Sequence, residues 1–187
     1  MYCSGCGGKL TTVHQEGRAR RYCSACNRIH YRNPKPCAGV CVVDGEQLLL
    51  IKRTAPPAVG AWSLPAGYLE VDEPPAYGAV RELAEETSVK ASAEELTLHD
   101  TVLVEHPDGR SVLVIVFVIP RTATTGTPVA GSDAAAAEFW EVDGLLADSN
   151  ERIEPGYQDV FRAAVERVAE SCETGSGLTD RSSARRS

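Results

Sequence analysis

Residues 67–89 read GYLEVDEPPAYGAVRELAEETSV, and this stretch decides how the chain folds. Between Pro74 and Thr87 apolar residues recur at the spacing of one buried helical stripe, which consists of Ala76, Ala79, Val80, Leu83 and Thr87. Pro74 and Pro75 suit a first helical turn, where backbone N–H groups need no partner, and Asp72 or Glu73 can cap that turn. We therefore predict an amphipathic helix over residues 74–87.

Three glutamates share the helical face that lies opposite this stripe. Glu82, Glu85 and Glu86 have the i, i+3, i+4 spacing, and like charges at this spacing repel one another. The repulsion raises carboxylate pKa values unless a cation lies among the side chains, and Mg²⁺ or Mn²⁺ suits such oxygen ligands. Arg81 can pair with Glu85 one turn further on. The alternative is a solvated acidic helix face without a ligand.

The complete pattern resembles the Nudix box, Gly-x₅-Glu-x₇-Arg-Glu-U-x-Glu-Glu-x-Gly-U, in which U is aliphatic. Six of its seven invariant positions match, at Gly67, Glu73, Arg81, Glu82, Glu85 and Glu86, and Leu83 and Val89 fill both aliphatic positions. The departure is Ser88, which stands where the family has a glycine in the left-handed cap of the helix. A serine there costs roughly 1 kcal/mol of strain and removes no ligand.

The resemblance implies a role for each matching residue. Glu82, Glu85 and Glu86 would bind Mg²⁺ or Mn²⁺ together with the Gly67 carbonyl, Glu73 would support the cluster, and Arg81 would orient a glutamate. Glu82 is a candidate base for the attacking water, and Asp133 and Glu138 are weaker candidates. The implied reaction is hydrolysis of a pyrophosphate bond, in which the metal ions neutralise the diphosphate and lower the pKa of bound water.

Four of the seven cysteines form two close pairs near the N-terminus. Sixteen residues separate Cys3-x-x-Cys6 from Cys23-x-x-Cys26, and this spacing is typical of a structural Cys₄ zinc site. The surrounding segment is poor in aliphatic residues, so zinc would supply its folding energy. A redox role lacks the βαβ pattern that such a role requires. Cys37 and Cys41 are interpreted as small buried hydrophobes, and Cys172 receives no role.

Charge is distributed unevenly along the chain. Residues 1–35 contain seven basic residues and one acidic residue, which gives this segment a net charge of +6. Residues 36–187 must therefore carry −13 to give the total net charge of −7. The acidic body argues against broad nucleic-acid binding. The basic segment could contact an anionic ligand, or it could merely offset the body. No signal peptide and no membrane span is evident, so we expect a cytoplasmic protein without a membrane partner.

The remaining pattern predicts a small ribbon followed by one larger domain. We expect a zinc ribbon over residues 1–33, a linker at residues 33–36, a Nudix domain over residues 34–171 and a disordered tail over residues 172–187. Two hairpins turn at Asp44-Gly45 and at residues 106–109, and residues 54–61, 62–71 and 120–134 are irregular. Strands are predicted at Cys37–Val43, Gln47–Arg53, Leu96–Glu105, Ser111–Ile119 and Ala137–Val142, and a second helix at Tyr157–Ser171. The resemblance implies an α/β/α sandwich around a mixed sheet.

Several features of the sequence narrow the choice of substrate. The ribbon, the Asn33–Pro36 linker and the stretch Ala61–Glu70 resemble the zinc-ribbon Nudix subgroup, whose members include ADP-ribose, FAD and NADH pyrophosphatases. Residues 90–130 lack the motif of the NADH enzymes, which favours ADP-ribose or an FAD-type dinucleotide. Tyr68 or Trp62 could stack on a base or belong to the core. The alternatives are NADH, an NAD-capped RNA 5′ end, or a nucleotide-sensing module without turnover. A homodimer is also compatible with the sequence.

Overall fold

The structure is a computed structural model that describes residues 1–56, 58–106, 109–131, 134–148 and 152–176, with side chains to Ser171. Contacts within the chain divide it into two compact units, Met1–Pro34 and Lys35–Ser187. Each unit has its own sheet. The two units are therefore described separately.

The first unit is a small antiparallel sheet. Its strands are β1 (Leu10–Gln15), β2 (Arg18–Cys23) and β3 (Arg28–His30), in the order β1-β2-β3. Its buried hydrophobic residues are Cys3, Leu10 and Cys23, so two of the three are cysteines. A core of this size cannot stabilise a fold of 34 residues without additional cross-links or a metal.

The second unit is built on a mixed sheet. Its strands are β4 (Lys35–Asp44), β5 (Gln47–Arg53), β6 (Trp62–Ser63), β7 (Ala66–Tyr68), β8 (Thr97–Glu105), β9 (Ser111–Pro120) and β10 (Ala134–Glu141). The main order is β10-β5-β4-β9-β8, in which β4 and β9 run parallel and the other neighbours run antiparallel. Both predicted hairpins, β4–β5 and β8–β9, are present.

Strands β4 and β5 separate along part of their length, and this split in the sheet borders the candidate functional site. Strands β4 and β5 pair next to their turn, at Val43 and Asp44. Farther from the turn, β7 pairs with β4 at Cys37–Gly39, and β6 pairs with β5 at Ile51 and Lys52. The predicted irregular stretch 62–71 therefore contains two short strands, which lie along the separated edges of β4 and β5.

Helices cover both faces of the sheet. They are α1 (Pro75–Thr87), α2 (Val142–Ala147) and α3 (Gln158–Ser176). Ala79 and Leu83 of α1 pack in a core cluster with Val40 of β4, whereas Phe161 and Ala164 of α3 pack in a second cluster with Cys41. Successive residues of β4 point to opposite faces. The second unit is therefore the α/β/α sandwich that the resemblance implied.

Some boundaries differ from the sequence predictions. Helix α1 begins after Pro74 without a side-chain cap, because the carboxylate of Glu73 accepts hydrogen bonds from Arg81 instead. Val142 begins the unpredicted helix α2 and is not the end of a strand. Lys35 and Pro36, assigned to the linker, already belong to β4.

The helix predicted to end at Ser171 continues to Ser176. Residues 172–176, predicted to belong to a disordered tail, are therefore helical, and the rest of that predicted tail lies outside the described residues. Over the described part of the chain, none of the helices combines the length and the apolar character that a membrane crossing requires.

Candidate active site

Arg81 is the centre of the carboxylate cluster on α1. Its Nε and Nη2 atoms donate to the two oxygens of Glu73 at 2.8 and 2.9 Å, a bidentate ion pair. Its Nη1 atom donates to Glu82 at 2.7 Å and to Glu85 at 3.2 Å, and Nη2 also donates to the Tyr68 carbonyl at 3.1 Å. All five N–H groups of the guanidinium are used. The predicted Arg81–Glu85 pair is thus the longest of these ion pairs, and Glu73 is the main partner.

The three glutamates of α1 occupy different environments. The side chain of Glu82 is 15% exposed and that of Glu85 is 59% exposed. Glu86 is buried, and its Oε2 atom accepts a hydrogen bond from the Ala66 backbone N–H at 2.9 Å. Helical spacing places the three residues on adjacent turns, but one carboxylate faces the protein interior and one faces solvent. Among the described residues, the ligand atoms that converge as a metal-binding group are those of the four paired cysteines and not these carboxylates.

Gly67 lies directly against the carboxylate of Glu82. A β-carbon at position 67 would be 2.0 Å from Oε1 of Glu82, so a larger residue would displace this side chain. Gly67 belongs to β7, which pairs with β4. The backbone of Gly67 is therefore adjacent to Glu82, which is where the predicted carbonyl ligand needs to be.

Burial and charge change the acidity of two members of the cluster in opposite directions. Burial is the main cause that raises the pKa of Glu82, with further contributions from Glu85 and Glu73, and Arg81 acts against it. The hydrogen bonds from Arg81 lower the pKa of Glu73. Three carboxylates share one guanidinium, and Glu86 adds a fourth carboxylate on the same helix, so this corner retains negative charge that a divalent cation would neutralise. The oxygen donors present therefore fit Mg²⁺ or Mn²⁺.

A cavity of about 350 Å³ borders the cluster. Glu82, Glu86 and Gly67 line it, and so do residues from the split in the sheet and from β8 and β9. A buried carboxylate that the sequence prediction missed, Glu154, also lines the cavity and lies 3.5 Å from Arg53. Acidic side chains, a guanidinium and apolar walls thus share one cavity, as in pockets that bind small polar ligands.

Comparison with known proteins agrees with this geometry. The sequence profile described as the NUDIX domain matches residues 33–163, which is most of the chain. The chain belongs to the Nudix family. It is a Nudix hydrolase, and the box built around Arg81 lies inside the matched region.

Named relatives show the range of the family. The chain is 32% identical over 129 residues to the ADP-ribose pyrophosphatase of Methanocaldococcus jannaschii, an alignment that covers 68% of this chain and 75% of that protein. It is 36% identical over 90 residues to the NAD-capped RNA hydrolase NudC of Stutzerimonas stutzeri, covering 47% of this chain and 31% of that protein. The chain therefore spans about a third of the length of this second relative.

Solved structures support the fold. The crystal structure of a NUDIX hydrolase from Nitrosomonas europaea is similar, with a TM-score of 0.62 and 24% sequence identity. The similarity covers 93% of each chain. At this identity the comparison establishes a shared architecture and no shared substrate.

The two predicted aromatic contacts lie in different places in this Nudix structure. Tyr68 is 44% exposed and lines the cavity, and the ammonium of Lys35 lies 5.1 Å from the centre of its ring. Trp62 is 2% exposed, belongs to the core and packs against Trp140 with ring centres 5.2 Å apart. Trp62 is therefore not placed to stack on a substrate, and Tyr68 remains as the aromatic candidate.

The structure describes one of the two weaker candidate bases. Glu138 is an exposed residue of β10 and does not line the cavity. Asp133 lies outside the described residues. The missed carboxylate, Glu154, directly follows Ile153, which forms a bridge with Trp62, and no spacing relates it to the box. Glu154 could have been flagged because it is an acidic residue shortly before a predicted amphipathic helix, but that signal is weak.

The four paired cysteines converge in the N-terminal unit. One sulfur atom from each of Cys3, Cys6, Cys23 and Cys26 lies within 4.8 Å of the others, and two of the S–S distances are 3.4 and 3.7 Å. Tetrahedral Zn²⁺ with Zn–S bonds of about 2.3 Å requires S–S distances of about 3.8 Å. Gly7 and Asn27, which follow Cys6 and Cys26, both have positive φ and turn the chain after each pair. The arrangement fits a closed Cys₄ metal site.

Proposed function

We propose that this Nudix hydrolase uses Mg²⁺ or Mn²⁺ to hydrolyse the pyrophosphate bond of a nucleoside diphosphate linked to another group. The observation that carries the proposal is the braced carboxylate cluster beside a cavity, with Arg81 holding Glu73 and Glu82. Divalent ions at this place would neutralise the diphosphate and lower the pKa of a bound water. The rest of the chemistry depends on how the protein positions its own groups.

Each side chain of the box has a proposed part in this positioning. Glu82, Glu85 and Glu86, together with the Gly67 carbonyl, hold the metal ions. Arg81 keeps Glu82 and Glu85 in place, and Glu73 holds Arg81 through two hydrogen bonds. Glu82 is the proposed base, as the resemblance to the family implies, and it lies at the wall of the cavity.

ADP-ribose is the proposed substrate in preference to an FAD-type dinucleotide. The relative with the longer alignment is an ADP-ribose pyrophosphatase. The cavity of about 350 Å³ is at the small end of ligand pockets, which span roughly 300–1,000 Å³. A small cavity favours the smaller ADP-ribose over an FAD-type dinucleotide. Tyr68 is the proposed stacking residue at the edge of the cavity.

An NAD-capped RNA 5′ end is the second candidate substrate. Similarity to the NAD-capped RNA hydrolase NudC favours it, and so does the positive charge of residues 1–35. A basic surface that follows an RNA strand makes binding strongly dependent on salt. A steep salt dependence with capped RNA, absent with free NADH and ADP-ribose, identifies this case.

The N-terminal unit, residues 1–33, is proposed to be a zinc ribbon of the type found in one Nudix subgroup. Four thiolates that converge on one point and a core of three buried residues support this proposal. The zinc would be structural, because four protein ligands leave no open position for water. Free thiols of this kind are maintained in reducing compartments, so we place the protein in the cytoplasm.

The test is a substrate panel with the full chain. ADP-ribose, NADH, FAD, a dinucleoside polyphosphate and NAD-capped RNA are incubated with Mg²⁺ or Mn²⁺, and the products are separated by chromatography. We expect the highest kcat/KM for ADP-ribose, and loss of turnover in Glu85→Gln and Glu86→Gln with an unchanged circular dichroism spectrum. Full activity in both variants would show that the assigned site is wrong. Binding without any turnover would favour the nucleotide-sensing module.

A further inference from the structure

Glu154 is a buried carboxylate with no close hydrogen-bond donor among the residues that the structure describes. Its side chain is 9% exposed and lines the cavity beside the Nudix box. Its charged partner is Arg53, with Nη1 and Oε2 3.5 Å apart, which is beyond the usual range of a hydrogen bond. Within the described ranges, no hydrogen bond to this carboxylate is found. Because Glu154 lines the cavity, its carboxylate is available to accept a hydrogen bond from a ligand there.

Arg53 is incompletely paired as well. Its Nε atom is buried and has no hydrogen-bond partner among the residues that the structure describes. Its side chain is 24% exposed, and Arg53 also lines the cavity. The Glu154 carboxylate can therefore accept, and the Arg53 guanidinium can donate, a further hydrogen bond in the same cavity.

Fixed backbone positions hold the pair in this arrangement. The Arg53 N–H donates to the Ala61 carbonyl at 3.0 Å, and the Glu154 N–H donates to the Trp62 carbonyl at 2.9 Å. The Arg53–Glu154 pair is more open than the Arg81–Glu73 pair, whose donor and acceptor atoms are 2.8 and 2.9 Å apart in the same unit. Hydrogen bonds at functional sites are often long before a ligand binds.

We propose that Arg53 and Glu154 bind a ribosyl phosphate part of the substrate. Arg53 donates to a phosphate oxygen, since the guanidinium fork matches the geometry of phosphate. Glu154 accepts a hydrogen bond from a ribose hydroxyl, as an acidic residue does in dinucleotide-binding folds. Ile51, Val104 and Val112 line the same cavity and offer an apolar surface to the sugar ring. The inference rests on the proposed function and assigns two residues to the recognition of the sugar and its phosphate.

Two ligands without a pyrophosphate bond test this inference apart from catalysis. Ribose 5-phosphate and tetrahydrofurfuryl phosphate share a five-membered ring and a phosphate, but the second lacks the ring hydroxyls. Isothermal titration of the full chain in Mg²⁺ should show ribose 5-phosphate binding at least about tenfold more tightly, because a hydrogen bond to a buried charge is lost without the hydroxyl. Equal affinity of the wild-type chain for both ligands overturns the inference.

Variants assign the two contacts. Glu154→Ala should bind both ligands equally, and Glu154→Leu, which also lacks an acceptor, serves the same purpose if the alanine variant fails to fold. Arg53→Gln should weaken both ligands and inorganic phosphate about tenfold or more. Lys52→Gln is the matched control, because Lys52 precedes Arg53 on β5 and lies over the Trp62 ring instead of the cavity. Discrimination that survives in Glu154→Ala contradicts the assignment.

Kinetics separate recognition from proton transfer. With ADP-ribose, Glu154→Gln should raise KM at least about fivefold, with kcat within about twofold and an unshifted pH profile. A large fall in kcat together with loss of the acidic limb would make Glu154 the general base, and the inference would be wrong. If the chain hydrolyses no nucleotide, the titrations still decide the inference, so its failure is distinguishable from failure of the proposed function.

Discussion

Gly131 lies against the backbone carbonyl of Glu85 at the end of the Nudix helix. A β-carbon at position 131 would be 1.9 Å from the backbone carbonyl oxygen of Glu85. The Gly131 N–H donates to the Glu86 carbonyl at 2.9 Å. The Val129 N–H likewise donates to the Thr87 carbonyl at 2.8 Å. The loop after β9 therefore holds the helical turn that presents two of the proposed metal ligands.

Gly131→Ala should lower kcat without unfolding the protein. The clash is with backbone, so either the loop or the turn with Glu85 and Glu86 must shift, and a displacement of about 1 Å at a catalytic site can cost about 10²-fold. Steady-state hydrolysis with ADP-ribose measures the effect. Gly45→Ala is the control, because Gly45 has positive φ but open space around it, and it should lose stability with unchanged kcat. Unchanged kcat in Gly131→Ala would show that the loop does not position the turn.

Ser88→Gly should stabilise the protein by roughly 1 kcal/mol, since Ser88 adopts a left-handed conformation that favours glycine. Its φ is 61° and its N–H donates to the Ala84 carbonyl at 3.0 Å, as the family glycine would. Activity should not change, because Ser88 contributes no ligand. Urea unfolding measures the difference, with Ser88→Ala as the control that retains the strain. A Ser88→Gly variant no more stable than Ser88→Ala would contradict this interpretation.

The free energy of unfolding at acidic pH should depend on Glu73 and Glu82 in opposite ways. Arg81 lowers the pKa of Glu73, so this residue stabilises the fold above its unfolded pKa of about 4.3, and the contribution is lost as pH falls through the lower folded pKa. Burial raises the pKa of Glu82, so its contribution decreases as pH rises from the unfolded pKa to the higher folded pKa.

Urea midpoints between pH 3 and pH 7, without added Mg²⁺ or Mn²⁺, test this pair of signs. Glu73→Gln should be less stable than wild type near neutral pH and should show a flatter acid limb. Glu82→Gln should be more stable than wild type near neutral pH, since it removes a buried charge. The reverse order of the two variants would mean that the pKa directions are misassigned.

The N-terminal unit should contain one zinc ion per chain. Loss of one thiolate opens the closed site, so Cys6→Ser or Cys26→Ser should release the metal and unfold residues 1–33. Atomic absorption gives the zinc content, and NMR of the ribbon amides reports its fold. Cys172→Ser serves as the control and should retain full zinc content. Full zinc content in Cys6→Ser would exclude the Cys₄ site.

Local patterns were sufficient to predict the helix and the hairpins. The stripe of Ala79 and Leu83 in α1 depends on the 3.6-residue period alone, and the turn at Asp44-Gly45 depends on two adjacent residues. The close approach of the four paired cysteines also followed from spacing. These features need no knowledge of distant parts of the chain.

Features that depend on distant contacts could not be predicted. Glu86 is buried because the Ala66 N–H reaches it from another element, although its spacing is the same as that of an exposed acidic face. Glu154 is buried next to Arg53, which is 101 residues earlier in the chain. Helix α2 has six residues, too few for a helical period to be recognised.

The central claim is that the carboxylates of the Nudix box gather divalent cations. Electron paramagnetic resonance of Mn²⁺, titrated into the full chain with AMP present, measures this binding directly and without turnover. We predict saturable binding in the wild-type chain and at least about tenfold weaker binding in Glu85→Gln and in Glu86→Gln. Failure of the wild-type chain to bind Mn²⁺, or equal binding by wild type and both variants, would contradict the claim.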